Sequence, residues 1–474
     1  MKPGPRKDRT TPPRGIAQRT LLLAIVAAVA GCTMHTSLPT LPDQTPETWR
    51  TDGASVANGL QPDLQHWWHA FGDATLDALV DRALQDNLGI AVAELRLRAA
   101  RRLQHRARTD FWPNLNFRVY EETAPGAATG YLEIGFDAEW EFGLFGRSQG
   151  SARMAAADVN TAIVDATSAR VSVIAEVAKN YVELRAAQAR AEILDEVVAQ
   201  RRRRVELMQT RLRTHMASQM EVDHERTDLQ QALAESGEPG LSMQQTMQAL
   251  AVLLGTAEPD AGWSLRAGQP LLPALDIHQA PADLVRTRPE IRRAEQNALH
   301  AAGELGIARA DLFPKLGLVG TLISSTSITG DVDHPNRAVP LLGPNIQIPL
   351  WDWGARRDVV GAREAALSAS VLAYREAVLE GVAEAEAALA QFANRTARLD
   401  NAQASVALAQ QSQASARTLQ RLGLGDGLET SSAGIALAEA RLGRIAALRD
   451  RALAYIAVYK AFGGVLPPLA AVPR

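Results

Sequence analysis

The stretch Tyr131-Leu-Glu-Ile-Gly-Phe-Asp-Ala-Glu-Trp-Glu-Phe142 decides the fold. Leu132, Ile134, Phe136, Ala138, Trp140 and Phe142 alternate without a break with Glu133, Gly135, Asp137, Glu139 and Glu141. Successive side chains of a strand point to opposite faces, so this period of two predicts a strand with one dry and one wet face. Its length suits a tilted bilayer crossing of about 9–11 residues. A partner strand precedes it from Asn114 to Tyr120, with Leu115, Phe117 and Val119 on one side. Residues 121–130, rich in Gly, Ala, Thr and Pro, join the two.

The pattern occurs twice. Leu316, Leu318 and Leu322 open a second hairpin, a long polar loop follows, and Ile346, Ile348 and Leu350 close it. Pro349 cannot donate to a ladder and predicts an edge or an end there. Four strands are too few for a barrel, since bacterial barrels begin at about eight. An open sheet edge is not tolerated in lipid. The choice is between a soluble sheet packed on helices and a barrel shared by several chains. Four strands so widely separated by helical sequence make a poor soluble sheet.

Around the hairpins the whole chain repeats. Arg108, Asp110, Trp112, Pro113 and Leu115 answer Arg309, Asp311, Phe313, Pro314 and Leu316, 201 residues on. Gly146, Glu176, Arg213 and Glu221 answer Gly354, Glu384, Arg421 and Glu429, 208 residues on. A collinear series on two constant offsets predicts a duplication, with seven residues added between the matched prolines and the matched glycines. From Arg147 to Arg213 there is no proline and one glycine, and apolar residues recur at three- and four-residue steps. Some 65 helical residues would reach about 100 Å at 1.5 Å each and suggest coiled-coil packing. A duct and a rod would both need such length.

Composition agrees: 46% of the 474 residues are hydrophobic but only 5% aromatic, the balance of long helices. A net charge of −3 gives no reason to expect a polyanion. The Arg201–Arg204 run spreads round a helix as a solvated face, so no nucleic acid partner is expected. No apolar run after residue 32 is long enough for a membrane helix, so any crossing uses strands. A phosphate-cradling loop, a zinc spacing and a Gly-x-Ser-x-Gly elbow are all absent from the sequence. Gly423, Gly425 and Gly427 follow no strand, and His66 and His69 flank Trp67-Trp68 without further ligands. No cofactor and no metal are expected.

At the amino end, Lys2, Arg6, Lys7, Arg9, Arg14 and Arg19 precede an apolar run from Leu21 to Ala30, which is the form of a signal peptide. Val29-Ala30-Gly31-Cys32 resembles a bacterial lipobox. That resemblance implies cleavage before Cys32, lipidation of this lone cysteine, and retention at the outer membrane, since Thr33 rather than an aspartate follows. Several acyl chains anchor stably where one does not. The domain plan is then a signal peptide over 1–31, a lipidated tether over 32–62 and a first repeat over 63–265. A connector at 266–280, a second repeat over 281–465 and a tail at 466–474 complete it. The hairpins fall near 114–142 and 315–351, and the tips near 213–222 and 421–429.

These features together resemble the outer membrane factor family of the TolC and OprM type. Within it they are similar to the lipoprotein branch serving resistance-nodulation-division pumps. Trp67-Trp68, Phe71, Asp73, Leu76 and Leu79 look like the family's opening segment, and Glu141-Phe-Gly-Leu-Phe-Gly-Arg147 like its strand-to-helix junction. Pro281, Asp283-Leu284, Arg286, Arg288-Pro-Glu-Ile291 and Ala294-Glu295 form the most diagnostic run. Pro349-Leu-Trp-Asp-Trp-Gly354 mirrors the first junction, and Tyr459-Lys-Ala-Phe-Gly-Gly464 closes the body. The resemblance implies a mainly α chain with membrane β: a homotrimer with a twelve-stranded barrel, four strands per chain, continuous with an α-barrel of helical hairpins. It implies a periplasmic adaptor and an inner membrane efflux pump as partners, passive export of drugs or toxic small molecules, and no catalysis. An exit duct for type I protein secretion shares the fold, and a structural envelope lipoprotein is a third reading.

By the same resemblance the helical hairpins turn at periplasmic tips that form the gate. The second tip has Gly423-Leu424, Asp426 and Glu429, and relatives carry a carboxylate ring where Glu429 stands. The first tip has His215-Met216 where Gly-Leu is expected, with Glu221 in place, and a tight turn there loses the strain relief that glycine gives. Ser432 replaces a second expected acid. Glu133, Asp137, Glu139 and Glu141, repeated round a shared barrel, would make a lumen that favours cations, unless arginines such as Arg118 neutralise them.

Overall fold

A computed structural model describes residues 66–123, 130–272, 286–327 and 338–463, with Leu41 and Arg50. The expected signal peptide, Cys32, most of the tether, Pro281, Asp283, Leu284, Gly464 and the tail lie outside the described residues. Within them the helices are α1 (Ala74–Asp86), α2 (Leu88–Thr109), α3 (Arg147–Arg213), α4 (Gln219–Leu253), α5 (Pro289–Ala310), α6 (Ala355–Arg421) and α7 (Gly427–Ala461). The strands are β1 (Asn114–Thr123) and β2 (Gly130–Glu141) between α2 and α3, and β3 (Lys315–Ser327) and β4 (Ala338–Gln347) between α5 and α6. None of the helices is long and apolar enough to cross a membrane.

The duplication holds to the residue. Helices α3 and α6 have 67 residues each, α4 and α7 have 35 each, and all four bounds are displaced by 208. Helices α2 and α5 have 22 each and are displaced by 201. Left-handed residues repeat as well: Phe145 with Trp353, Gly146 with Gly354, and Gly255 with Gly463. The seven added residues belong to the second hairpin, whose strands end at Ser327 and resume at Ala338.

The chain divides into two compact units. The first contains Ala100–Asn160 and Gln296–Leu372, and therefore the sheet. Its order is β1-β2-β3-β4, antiparallel throughout. The register aligns Phe117 with Phe136 and Leu322, and Trp140 with Leu318, so the dry residues of neighbouring strands share one face. That face is uncovered within the chain, with Leu115, Phe117, Phe136, Leu342 and Ile346 all exposed. Strand β4 has one neighbour and carries Pro340 and Pro344, as an edge strand can. It stops at Gln347, so Pro349 lies beyond the strand end. Helix α5 is held on both sides: His300 reaches Asp158 of α3 at 3.4 Å, and Glu304 accepts from Arg363 of α6 at 2.8 Å.

The second unit contains Leu41–Ala99, Thr161–Glu295 and Ala373–Arg474. Its core explains the opening aromatic segment. Trp67 stacks on Tyr459 with centroids 5.1 Å apart, and Phe71 meets Tyr455 edge-on at 5.6 Å. Burial pushes the Tyr455 hydroxyl up to about 12. Asp73 caps α1 by accepting from the Thr75 and Leu76 amides and also takes the Tyr181 hydroxyl at 2.6 Å. Arg288, from the diagnostic run, is buried and donates to the carbonyls of Gly381 and Ala461 and to Glu384. Its role in this unit is to close the end of α7, where orphan carbonyls need donors.

Candidate functional site

Two sets of residues were expected to act on a passing solute, and the structure treats their members differently. On the wet face of the sheet, Glu133, Asp137, Glu139 and Glu141 do share one side. Arg118 on β1 reaches Asp137 at 3.2 Å, and Arg147 at the start of α3 reaches Glu141 at 2.9 Å. Arg147 also donates to Asp311 at 2.5 Å, which Lys315 meets at 3.1 Å. Two of the four acids are therefore matched by cations. Glu133 and Glu139 take no ion pair among the described residues and leave the face acidic.

The tips form by one mechanism in both halves. Helix α3 ends as the Met216 amide donates to the Arg211 carbonyl at 2.7 Å and the His215 amide to Leu212 at 3.0 Å. Helix α6 ends in the same way, Leu424 to Leu419 at 2.9 Å and Gly423 to Gln420 at 3.1 Å. This paired closure requires a left-handed residue, and His215 takes it at φ 59° where Gly423 takes it at φ 72°. The turn is kept without the glycine, and the histidine bears the strain. His215→Gly is expected to stabilise the chain by about 0.5–1 kcal/mol, the relief of left-handed strain less the added unfolded-state freedom. Thermal unfolding would read it, and a lower midpoint would mean the imidazole makes a contact worth more than the strain.

Beyond the turn the two tips diverge. In the first tip Ser218 caps α4, and Glu221 turns back to accept from the Ser218 amide at 2.7 Å and its hydroxyl at 2.9 Å. The backbone hydrogen bond from Ser218 holds the Glu221 carboxyl below its ordinary range. In the second tip Asp426 is the cap, accepting from the Leu428 and Glu429 amides at 2.6 and 2.9 Å. The Glu429 amide, and Arg211 at 2.6 Å across from the first hairpin, lower the Asp426 carboxyl. Glu429 is exposed, and its carboxylate has no partner among the described residues. Glu221 is thus a capping acid and Glu429 an unengaged one. Met216 and Leu424 are exposed at the ends of the two tips, with Leu424 75% accessible.

Sequence reasoning missed the cluster behind the tips. Arg204 donates to Glu225 through two nitrogens at 2.5 and 2.8 Å, and to Ser432 at 2.5 Å. Arg201 meets Asp228 at 2.6 Å. The reading of Arg201–Arg204 as wholly solvated is corrected for these two; Arg202 and Arg203 are exposed. A signal was available. Arg204 and Glu225 lie equally far from the middle of the Thr214–His215 turn, as do Arg201 and Asp228. Arg395 and Asp450 are likewise equidistant from the Leu422–Gly423 turn and meet at 3.1 Å.

With this geometry in place, comparison with known proteins fixes the family. The outer membrane efflux protein family matches residues 79–256 and 280–464. The chain belongs to that family. It is 26% identical over 381 residues to outer membrane protein OprJ of Pseudomonas aeruginosa, covering 78% of this chain and 79% of that one. It is 25% identical over 380 residues to the toluene efflux pump outer membrane protein TtgI of Pseudomonas putida, covering 76% and 79%. The solved outer-membrane channel OprN superposes with a TM-score of 0.77 at 25% identity, covering 91% of this chain and 99% of that one. The chain is therefore an outer membrane component of an efflux system, as its sequence led one to expect, and its structural relatives are channels.

Proposed function

We propose that three copies of this chain close a twelve-stranded barrel and form the outer membrane duct of a tripartite pump. A periplasmic adaptor and an inner membrane pump would complete the machine, with drugs or toxic small molecules as cargo. The observation that carries this reading is the four-stranded sheet, with one exposed apolar face and two unpaired edges, β1 and β4. Lipid would cover such a face but would not satisfy such edges, so β4 of one copy must pair with β1 of the next. The toluene pump component among the relatives supports small-molecule cargo over secreted protein. No reaction is assigned to the chain. The domain plan stands as part of the reading, with Cys32 as the lipid anchor and residues 32–62 as its tether.

In the trimer, Glu133 and Glu139 are the acids left to set the lumen potential, with Asp137 and Glu141 already paired. Glu429 from each copy would converge at the gate, where three carboxylates repel one another unless a cation or proton neutralises them. Asp426, Gly423, Leu424 and Met216 shape the tips around it, and Glu221 holds its own helix start. Purified oligomers in planar bilayers test the reading. A cation-selective pore is expected, and Glu133→Gln with Glu139→Gln should lower the cation-to-anion permeability ratio by roughly twofold or more. Glu429→Gln should raise the resting conductance. No conductance at all would overturn the channel, and unchanged ratios would remove these acids from the lumen.

A further inference from the structure

We infer that the face of α2 carrying Arg102 and Arg106 seats on α6 of the next copy, where Asp358 meets both guanidinium groups. A contact inside the chain, between α3 and α5, is the template. Gly150 of α3 and Gly303 of α5 are both buried, so close that a Cβ on Gly303 would stand 2.9 Å from the Gly150 carbonyl oxygen. Ile307 of α5 closes on the same spot: a Cβ on Gly150 would lie 2.9 Å from its Cγ1. One turn along α3, Met154 meets Gly303, its Cγ 2.6 Å from where a Cβ would stand. Ala157, buried, continues that face of α3.

The same two faces recur without each other. The residues 208 positions on from Gly150, Met154 and Ala157 are Asp358, Ala362 and Ala365 of α6, and all three are exposed. The residues 201 positions before Gly303 and Ile307 are Arg102 and Arg106 of α2, and both are exposed. Among the described residues Arg102 and Asp358 take no ion pair, and Arg106 has Asp110 alone, at 3.8 Å. A pair of touching glycines has thus given way, on both sides at once, to opposite charges. One charge buried in such a contact is costly, whereas a hydrogen-bonded Arg–carboxylate pair largely offsets its own desolvation.

Strand order selects a second copy as the occupant. Helix α3 follows β2, α5 precedes β3, and the pairing of β2 with β3 brings those two helices together. Helix α6 follows β4 and α2 precedes β1, the two outer strands of the sheet. Within one chain β2 and β3 hold these strands about 14 Å apart, three strand spacings. Pairing β4 with β1 of the next copy supplies the missing neighbour of both helices. Arg and Asp side chains need more room than two glycines. Helices α2 and α6 therefore stand further apart than α3 and α5, near the usual interaxial distance of about 8–10 Å. The contact rests on the reading of the sheet as a barrel shared between copies.

The test is the rate at which the full-length oligomer in detergent dissociates at a fixed raised temperature, read on semi-native gels. Asp358→Arg should speed dissociation roughly tenfold, because three guanidinium groups then face one another. The swap D358R with R102D and R106D should bring the rate back to within about twofold of wild type. D358R with R202D and R203D, two exposed arginines further along α3, should stay fast. A milder cycle covers a D358R variant that does not assemble. There D358N should speed dissociation about threefold in the wild type and add nothing to R102Q with R106Q. Failure of the swap to rescue, rescue by the α3 control, or additive effects in the cycle would each overturn the contact. So would a wild-type rate for D358R, which would leave the face to a partner other than a second copy. Absence of any wild-type oligomer would be the separate failure of the shared barrel, and the contact would fall with it.

Discussion

Gly135→Val is expected to abolish the membrane-inserted oligomer. Gly135 stands on the wet face of β2, opposite Ile323 of β3. A Cβ built there would lie 2.2 Å from the Leu322 carbonyl oxygen and 2.8 Å from the Ile323 Cα. Both are backbone atoms of the neighbouring strand, so no side-chain rotation can relieve the clash. Strands in a sheet sit about 4.8 Å apart, and widening that gap breaks the ladder joining the two halves of the chain. Overpacking costs about 1–3 kcal/mol even where side chains can yield. Here they cannot, and a shared barrel repeats the cost in every copy. Gly343→Ala is the control, since it shares the wet face and a Cβ there meets nothing within 4 Å. The yield of oligomer in outer membrane fractions would read both variants. Wild-type yield of the valine variant would mean that the sheet does not hold this register in the membrane.

The strand phase and the duplicated hairpin were legible in the sequence because alternation and repetition are properties of the residues themselves, whereas the pairing of β2 with β3 was not. The unbroken period of two from Leu132 to Phe142 could be satisfied only by a strand of that phase, and β2 ends at Glu141. The offsets of 201 and 208 recur in the bounds of the paired helices, because one fold solved twice must keep its lengths. Glu221 matches Glu429 in the repeat, yet Ser218 three residues earlier makes it one half of a capping box, a local role the offset does not reveal. Repeat equivalence transmits backbone more faithfully than side-chain role: Arg102 of α2 stands where α5 has Gly303, although Arg108 keeps its charge as Arg309. The proposed trimer is legible in a single chain only as a missing partner for two sheet edges.

Breaking the Arg204–Glu225 pair is the second large effect, and its size comes from burial. Glu225 is 4% exposed, and the only cation bonded to its carboxylate among the described residues is Arg204. Glu225→Ala would leave that guanidinium half-buried with Ser432 and the Leu428 carbonyl as its remaining acceptors. Removing one member of a buried pair costs about 3–5 kcal/mol, far more than the pair is worth against an apolar replacement. The hydrogen bond from Arg204 holds the Glu225 carboxyl below its ordinary value of 4.5. A depressed carboxyl stabilises the fold above its unfolded value, and that contribution disappears as pH falls through the folded one. Wild type should therefore exceed Glu225→Gln most clearly at neutral pH, and the gap should close progressively as pH drops below 4.5. Thermal unfolding of the detergent-solubilised oligomer across that range measures it. A gap independent of pH would mean that shape, not charge, joins α3 to α4 behind the tip. In that case the acid sensitivity of the periplasmic end would have to come from Asp426, whose carboxyl is lowered by the Glu429 amide and by Arg211 on the first hairpin.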